Sequence, residues 1–466
     1  MVKMRGEGLN YIRKLVKMHH EWRSECINLI ASENITSLAV RELLASDFSH
    51  RYAEGEPFSR LYGGTKYIDL VEDFAKKKLK KVFGAEYVNL KPLSGSQANL
   101  AVIYALTNPG ETIITLSLVD GGHISCMDFG GAGLRNLKVE TLVFDKKEIN
   151  IDVDASIKKI MEVKPSLCFL GGSVILFPQP IKEIKNALDE VGGNLVYDAS
   201  HVLGLIAGKQ FQDPLKEGSD IVTSSTHKTF PGPQGGVIFC KSTLAEKIDK
   251  AVFPGLVSNH HLHHIAALAV SLLEVEKFGV NYAKQVIKNA KALAESLYND
   301  GFNVVAAHKG FTETHQILVD VSKFGGGNTV STLLEKSNII CNKNLLPWDN
   351  PKEIYNPSGI RLGTAELTRL GLKEEDMVEI SKFIRQVIIE KRNPFKELEK
   401  QKAYQLYKEK IEDEIINFYN AINLSENEIK NYLLLLKEQE SQARGKSILP
   451  FGFVLTPKQN LINVLE

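Results

Sequence analysis

Short apolar runs alternate with longer amphipathic segments between residues 66 and 280. Apolar runs of about four to eight residues are typical of buried strands, and apolar positions repeating every three or four residues predict helices. Strands joined by helix-length connections predict an α/β fold with a mostly parallel sheet and helices on both faces. Because such sheets bind ligands outside the carboxyl ends of their strands, we expect functional residues after strands such as NLVYDAS at 194–200 and DIVTSST at 220–226.

The patterns outside this region divide the chain further. Residues 1–50 begin with an amphipathic pattern that predicts an N-terminal helical arm. Residues 51–280 form the predicted large domain, and residues 281–392 run helix, strand, strand, helix, turn-rich stretch and helix, which predicts a smaller α+β domain. The charge-dense segment 393–466 predicts a helical tail, whose role stays unassigned.

Composition narrows the functional classes. The chain holds 57 Lys and Arg residues against 56 Asp and Glu residues, which gives a formal net charge of +1. This balance argues against nucleic acid as a partner, because such binders carry a basic surplus. No apolar run approaches the roughly 20 residues that span a bilayer, and the first residues lack a secretory signal pattern. We therefore expect a cytoplasmic protein without membrane contact, and the five widely spaced cysteines predict neither disulfides nor a thiolate metal site.

Lys228 follows the strand pattern at 220–226 and precedes a loop rich in proline and glycine. A lysine that is partly desolvated at the end of a strand can lose its proton and form a Schiff base. Asp198 and His201 end another strand pattern, at the same expected edge of the sheet. Pyridoxal phosphate needs a carboxylate at its pyridine nitrogen. The combination indicates a pyridoxal phosphate site, although a surface lysine and a helix N-cap would explain Lys228 and Asp198 taken singly.

Ser94, Gly95 and Ser96 lie where a strand pattern gives way to a helix pattern. Backbone donors at a helix start, a glycine and two hydroxyls suit a phosphate, but a capped helix explains the same serines without a ligand. The sequence contains neither a dinucleotide-binding motif nor a P-loop. In the predicted small domain, Arg361 follows Ser-Gly, and its guanidinium could bind a carboxylate through two hydrogen bonds or stay solvated.

Seven phrases of the sequence resemble the serine hydroxymethyltransferase family, particularly its archaeal branch. The resemblance extends over about residues 20–392 in the expected order, and THK, YAEG and SGIR are its most specific parts. The phrases are LIASENIT (29–36), HRYAEGEPFSRLYGGTKYID (50–69), SGSQANLAV (94–102), DGGHIS (120–125), YDASHVLGL (197–205), SSTHKTFPGPQGG (224–236) and NPSGIRLGT (356–364).

The resemblance implies a homodimeric fold-type I pyridoxal-phosphate enzyme of the aspartate-aminotransferase-like class. Such an enzyme interconverts serine and glycine and passes the one-carbon unit to a reduced pterin, either tetrahydrofolate or a tetrahydromethanopterin-type compound. Lys228 would hold the cofactor as a Schiff base, Asp198 would contact its pyridine nitrogen, and His123 would stack on its ring. The further cofactor contacts that the resemblance implies are Ser94, Gly95, Ser96, Ser173, His201, Thr226, Tyr52 and Gly255, the last two from the partner subunit.

The resemblance also assigns the substrate and pterin contacts. Arg361 and Ser32 would bind the substrate carboxylate, and Tyr62 of the partner subunit would lie beside them. Glu54, also from the partner subunit, would act first as acid and then as base. His227 and Thr226 would tune the Schiff base. The positions implied near the pterin are Glu54, Gly122, His123, Ile124 and Asn344.

Two residues depart from the commoner bacterial and eukaryotic pattern. Leu61 stands where those enzymes often have a tyrosine that stacks on folate, and Gln234 stands where they have an arginine. Both residues fit the archaeal branch. They leave the pterin open between tetrahydrofolate and tetrahydromethanopterin.

Other interpretations remain at this point. The histidine-rich stretch NHHLHH at 259–264 could bind a metal, but we interpret it as cofactor-proximal or interfacial and expect no metal site. A threonine aldolase or an aminotransferase would use the same cofactor chemistry, and an inactive scaffold or RNA-binding regulator would use none. The presence of Glu54, Lys228, Asp198 and Arg361 favours the hydroxymethyltransferase hypothesis.

Overall fold

The computed structural model describes residues 8–392, so the predicted tail at 393–466 lies outside the described residues. The chain divides into two units; residues 8–28 are the described part of one unit, and residues 29–392 are the described part of the other. In the first unit, helix α1 spans Leu9–Ser24, where the sequence predicts a helix, and a short strand follows at Ile27–Asn28.

A seven-stranded sheet forms the centre of the second unit. Its strands are β1 Tyr87–Asn89, β2 Thr112–Thr115, β3 Lys138–Thr141, β4 Leu167–Gly171, β5 Asn194–Asp198, β6 Ile221–Ser225 and β7 Gly236–Cys240. In space these strands follow the order β1-β7-β6-β5-β4-β2-β3. The five strands from β6 to β3 pair in parallel, whereas β7 is antiparallel to both β6 and β1. This topology confirms the prediction of a mostly parallel sheet.

Both faces of this sheet are buried at its central strands β4 to β7, as is usual for a mostly parallel sheet covered by helices. Along β4, Leu167 and Phe169 pack into one hydrophobic cluster, whereas Cys168 and Leu170 pack into the other. The alternation follows from the two-residue period of a strand. Helices cover the two faces, and the longer ones are α2 Leu38–Leu44, α3 Lys66–Phe83, α4 Gly95–Leu106, α5 Val153–Val163, α6 Ile181–Val191 and α7 Leu262–Asn299.

Shorter elements complete this region. Two small antiparallel pairs form, one by Gly55–Glu56 with Ser59–Arg60 and one by Phe144–Asp145 with Asn150–Ile151. The short α-helices are Gly131–Leu134, Leu203–Ala207, Pro214–Glu217 and Ala245–Lys250. None of the helices in the described part of the chain has the length and apolar character needed to cross a membrane.

A four-stranded antiparallel sheet lies in the C-terminal part, in the spatial order β8-β9-β11-β10. Its strand β11 contains Arg361, although the sequence pattern was typical of turns there because glycines begin and end the strand. The predicted domain boundary at 280/281 falls inside the long helix α7. The elements of this part are β8 Asn303–Val304, β9 Gln316–Asp320, α8 Gly326–Glu335, a short strand Ile339–Ile340, β10 Asn342–Asn344, β11 Gly359–Gly363, a short helix Ala365–Arg369 and α9 Glu374–Ile388.

Candidate active site

The carboxyl ends of β4, β5 and β6 meet at one edge of the large sheet. Asp198 ends β5 and pairs with Gly171 on β4 and with Thr223 on β6. Lys228 follows three residues after the end of β6 at Ser225. The chain crosses itself closely here, because a Cβ atom added to Gly171 (φ 78°) would lie 2.1 Å from the Asp198 carbonyl oxygen. The fold therefore brings the predicted lysine and carboxylate to the same edge.

The Lys228 amine is poised to react near neutral pH. Burial lowers its pKa to about 8; the neighbouring Asp198 carboxylate opposes this shift and Arg361 adds to it. A neutral amine is the nucleophile that attacks a carbonyl carbon. The backbone of the residue is also held, since its carbonyl oxygen accepts a hydrogen bond of 2.7 Å from the Asn34 side chain.

The lowered pKa predicts how the unloaded protein captures pyridoxal phosphate. Below pH 8 the neutral fraction of Lys228 rises roughly tenfold per pH unit, and above the pKa of about 8 it levels off. We expect the capture rate, measured by stopped-flow absorbance, to follow this curve. A simple alkylamine in the same buffers corrects for ionisation of the cofactor itself. A plateau reached only near the ordinary lysine value of 10.5 would contradict this environment for Lys228.

The Asp198 carboxylate is buried and oriented by two donors. Its Oδ2 accepts a hydrogen bond of 2.8 Å from Asn99 Nδ2, and its Oδ1 accepts one of 3.0 Å from the backbone N–H of Ser200. Asn99 lies on α4, is 0% exposed, and also accepts a 2.6 Å hydrogen bond from the Thr223 hydroxyl. Sequence reasoning missed Asn99. The available signal was a polar residue at a core position of an apolar helix, which must find partners when buried.

Substitution of Asn99 by alanine should weaken cofactor binding. The change removes a hydrogen bond to a charged group, which is worth about 1.5–3 kcal/mol, or roughly a 10- to 150-fold rise in the dissociation constant. Fluorescence titration of the unloaded protein with pyridoxal phosphate measures this constant. Asn289→Ala is the matched control, because Asn289 is also 0% exposed and bonds Thr368 and Leu372 instead. Equal affinities of the two variants would argue against the role of Asn99.

Ser94 caps helix α4, as one of the two sequence interpretations predicted. Its hydroxyl accepts a hydrogen bond of 3.2 Å from the Gln97 N–H, and the Ser96 side chain is exposed at the first turn. Gly95 is tightly enclosed: a Cβ atom there would lie 2.9 Å from the Ser200 Oγ. Gly255 is exposed beside the same helix, where an added Cβ atom would lie 3.4 Å from the ring of Tyr104 on α4. The helix start thus offers backbone donors and a close approach suited to a phosphate.

Two histidines near Lys228 are neutral at physiological pH. Burial lowers the pKa of His123, Asp198 opposes the shift, and Lys228 and Arg361 add to it; the His123 Nδ1 lies 2.7 Å from the Ser125 Oγ. Burial and Lys228 lower the pKa of His227 to about 4. The His227 Nδ1 atom is buried without a hydrogen-bond partner among the described residues. An unpaired buried polar atom beside the lysine fits a site that a ligand completes.

Thr226 is engaged by its own loop. Its hydroxyl donates a hydrogen bond of 2.6 Å to the Pro233 carbonyl, and its backbone N–H donates one of 3.2 Å to the Gly235 carbonyl. These bonds close the proline- and glycine-rich loop back onto the end of β6. The structure therefore gives Thr226 a part in holding the loop that carries Lys228.

Arg361 reaches from the small sheet to the large one. Its Nη1 donates a hydrogen bond of 2.6 Å to the Ser173 carbonyl, and its Nε donates one of 3.2 Å to the Asn342 Oδ1. Burial lowers the pKa of the guanidinium to about 10. The segment that contains Ser32 packs against the strand of Arg361: a Cβ atom added to Gly363 on that strand would lie 2.4 Å from the Cα of Ala31, the residue before Ser32. A buried cation beside this segment could bind a carboxylate.

Glu54 lies in a hairpin that packs on the segment before α7. Its carboxylate accepts a hydrogen bond from the Ser258 hydroxyl. Tyr52 and Tyr62 flank it on the exposed surface, with their ring centroids 5.2 Å apart. The structure thus groups these three predicted residues with one another.

Arg60 holds the backbone on both sides of Glu54. Its Nη1 donates hydrogen bonds of 2.7 Å to the carbonyl oxygens of Ala53 and Gly55. The guanidinium is itself anchored on α3, because it pairs with Asp69 at 2.8 Å and with Glu72 at 2.7 Å, and its side chain is 2% exposed. Sequence analysis did not single out Arg60.

The predicted pterin residues other than Glu54 lie in two segments of the chain. Gly122 is buried, and a Cβ atom there would lie 2.0 Å from the Leu116 carbonyl oxygen, whereas Ile124 two residues on is exposed. Asn344 ends β10 and donates a hydrogen bond of 2.6 Å to the Leu345 carbonyl. Among residues 8–392, no three histidine, cysteine, aspartate or glutamate side chains converge as a metal would need, and this includes the stretch 259–264.

Similarity to known proteins identifies the family of this chain. Residues 9–384 match the family described as Serine hydroxymethyltransferase. The chain is 55% identical over 388 residues to a serine hydroxymethyltransferase of Methanopyrus kandleri, covering 83% of this chain and 91% of that protein. It is 54% identical over 398 residues to the one of Methanocaldococcus jannaschii, covering 84% and 93%. It is 51% identical over 387 residues to the one of Thermococcus kodakarensis, covering 82% and 90%. The chain therefore belongs to the serine hydroxymethyltransferase family and has its fold-type I architecture.

Proposed function

We propose that this protein is a pyridoxal-phosphate-dependent serine hydroxymethyltransferase, which interconverts serine and glycine and transfers the one-carbon unit to a reduced pterin. The observation that carries the proposal is the convergence of Lys228, Asp198 and Arg361 in a family member. Lys228 has a pKa lowered by burial to about 8, and Arg361 is buried close enough to contribute to that shift. Incubation of the cofactor-loaded protein with serine should release glycine only when a reduced pterin is present at a concentration comparable to that of serine.

The residues fit the cofactor chemically. Pyridoxal phosphate, when bound, withdraws electrons from the bonds of the amino acid's α-carbon. Lys228 would hold the cofactor covalently, Asp198 would keep a proton on its pyridine nitrogen, and His123 would lie against its ring. The contacts proposed for the phosphate and the ring substituents are Ser94, Gly95, Ser96, Ser173, His201, Thr226, Gly255 and Tyr52.

The substrate is oriented through its carboxylate. We assign this carboxylate to Arg361 and Ser32, with Tyr62 beside them, because a guanidinium can offer two parallel donors to a carboxylate. Burial strengthens this interaction, since water competes less for the two charges. His227 is neutral, with a pKa of about 4, and can accept a proton beside Lys228.

Glu54 is the proposed acid and base at the hydroxymethyl oxygen and the pterin. A carboxylate at this position can donate a proton to the leaving oxygen and later take one back. The pterin would lie against Gly122, His123, Ile124 and Asn344. Leu61 and Gln234 stand where the commoner pattern has a folate-stacking tyrosine and an arginine. The acceptor is therefore either a tetrahydromethanopterin-type compound or tetrahydrofolate, and kcat/KM measured with each of them identifies the preferred one.

We further propose that two copies of the chain form a dimer with shared sites, in which Glu54, Tyr52, Tyr62 and Gly255 serve the partner's Lys228. The Glu54 hairpin carries large apolar side chains that are exposed in a single chain: Phe58 in its turn is 66% exposed, and Leu61 directly after its second strand is 72% exposed. Exposed apolar residues of this size favour a protein interface.

Subunit complementation tests the shared site. Lys228→Ala and Glu54→Gln chains should each be inactive, but a dissociated and reassociated mixture should regain roughly a quarter of the wild-type activity, because half of the dimers then hold one intact site. Recovery depends on Lys228 and Glu54 coming from different chains. If the mixture forms dimers and stays inactive, each site is built from one chain.

Two further proposals concern the roles of the domains and the cellular location of the protein. We propose that residues 51–280 act as the cofactor domain and residues 281–392 as the carboxylate-binding domain. We also propose a cytoplasmic location, where a reducing environment keeps thiols free. The buried cysteines Cys126, Cys168 and Cys240 form no disulfide and are free thiols.

A further inference from the structure

Gln316 is a buried amide that joins the two sheets at the candidate active site. It begins β9, next to the strand that carries Arg361, and it is 0% exposed. Its Oε1 accepts a hydrogen bond of 2.7 Å from the backbone N–H of Ile175. Its Nε2 donates one of 2.8 Å to the Ser173 carbonyl and lies 3.0 Å from the His201 Nδ1.

The orientation of this amide is determined by its backbone partners. The Ile175 N–H can only donate, so the Gln316 oxygen must face it, and the Ser173 carbonyl can only accept, so the NH2 group must face it. The same NH2 group faces His201. A hydrogen bond from it to Nδ1 needs a free lone pair on that nitrogen. The proton of a neutral His201 must therefore be on Nε2.

The neighbouring His315 is compatible with this tautomer. Its Nε2 lies 3.0 Å from the Ala31 carbonyl, which can only accept, and 3.4 Å from the His201 Nδ1. The proton on His315 Nε2 is therefore donated to the Ala31 carbonyl, and an unprotonated His201 Nδ1 keeps a second N–H from facing His315 Nε2 across the nearly parallel rings. Burial, aided by the cations of Lys228 and Arg361, lowers the pKa of both histidines, for His315 to about 3, so both rings are neutral.

We propose that Gln316 is a positioning residue that fixes His201 as the Nε2–H tautomer and so makes His201 a hydrogen-bond donor to the bound cofactor or substrate. The inference rests on the proposed function for what His201 contacts, but the tautomer itself follows from the hydrogen bonds alone. Because Arg361 Nη1 and Gln316 Nε2 donate to the same Ser173 carbonyl, the amide also links the orientation of His201 to that of the carboxylate-binding arginine.

Nuclear magnetic resonance of the loaded enzyme with nitrogen-labelled histidine reads the tautomer directly. The His201 signals are assigned by their absence in a His201→Gln variant. In the wild type we expect the proton on Nε2. In Gln316→Glu, a carboxylate replaces the donor and accepts from the ring, so the proton should move to Nδ1 or both nitrogens should be protonated. The kcat for serine should fall roughly tenfold to hundredfold, the range for a lost buried hydrogen bond, with a smaller change in KM.

Gln212→Glu is the matched control. Gln212 also accepts from one backbone N–H and donates to one backbone carbonyl, both of Gln179, at 2.9 and 3.1 Å. Because its Nε2 also donates to Glu217 at 3.0 Å, a carboxylate at this position should lower stability without reaching His201. We expect this variant to keep the wild-type His201 tautomer and kcat. Gln316→Met, which neither donates nor accepts strongly, should give a mixture of tautomers and provides a second test should Gln316→Glu fail to fold.

The outcomes separate the inference from the proposed function. A wild-type His201 protonated on Nδ1, or a Gln316→Glu variant with unchanged tautomer and kcat, would overturn the inference even in an enzyme active with serine. If the wild-type proton lies on Nε2 and moves in the variant, the positioning role of Gln316 stands; absence of serine turnover in that same preparation would then refute only the proposed function.

Discussion

Replacement of Lys228 by alanine should abolish the absorbance of covalently bound cofactor and lower serine turnover by at least about three orders of magnitude. The expectation follows because no other described amine is placed beside Asp198 with a pKa lowered to about 8. Loss of the residue removes both the covalent attachment and a group that can carry protons at the substrate. Absorbance spectra and single-turnover kinetics of the purified variant measure the two losses.

A control separates this effect from general destabilisation. Lys185→Ala removes another partly buried lysine, whose amine pairs with Asp189 at 2.5 Å and with Asp220 at 2.9 Å on the outside of the sheet. We expect Lys185→Ala to lower thermal stability and leave the cofactor absorbance unchanged. A Lys228→Ala protein that keeps the absorbance and the turnover would remove the basis of the assignment.

Glu54→Gln should separate transfer to the pterin from binding of the amino acid. The amide cannot exchange protons at neutral pH, so we expect pterin-dependent glycine formation to fall about 100- to 10,000-fold, the range for loss of a general acid and base. Serine binding should be retained, because Arg361 and Ser32 are unchanged. Cleavage of other 3-hydroxy amino acids without pterin should also persist. Titration by absorbance and parallel rate assays with and without pterin measure these effects.

Glu56→Gln is the control in the same hairpin. Glu56 pairs with Lys76 at 2.5 Å and also with Lys91, so its carboxylate supports the local structure. We expect this variant to lose stability with little change in the ratio of pterin-dependent to pterin-independent rates. Normal transfer by Glu54→Gln would show that the proton is handled elsewhere.

The sheet and its chemistry were predictable because they depend on local patterns. The strands β4, β5 and β6 are largely buried and each contains a short apolar run, and because they pair in parallel the residues that follow them must meet at one edge. This geometry is enough to bring Asp198 and Lys228 together. The direction of the Lys228 pKa shift was predictable as well, since burial at a strand end lowers the pKa of a lysine.

The residues that hold these groups could not be predicted in the same way. Asn99 and Gln316 contact the site from a helix and from the other sheet, at 99 and 115 residues from their partners Asp198 and His201. No local period encodes such distant pairs. Strand β11 was missed for a different reason, because its short run ends in glycines, and its identity as a strand comes from pairing with both β9 and β10.

The fate of the hydroxymethyl carbon tests the central claim most directly. Serine isotopically labelled at that carbon is incubated with the loaded protein and, in parallel, with tetrahydrofolate or tetrahydromethanopterin. We predict that the label appears in the methylene group of a reduced pterin and that unlabelled glycine forms in equal amount. Label that stays in serine, or that is released as free formaldehyde at a rate independent of either pterin, would contradict hydroxymethyl transfer as the function of this site.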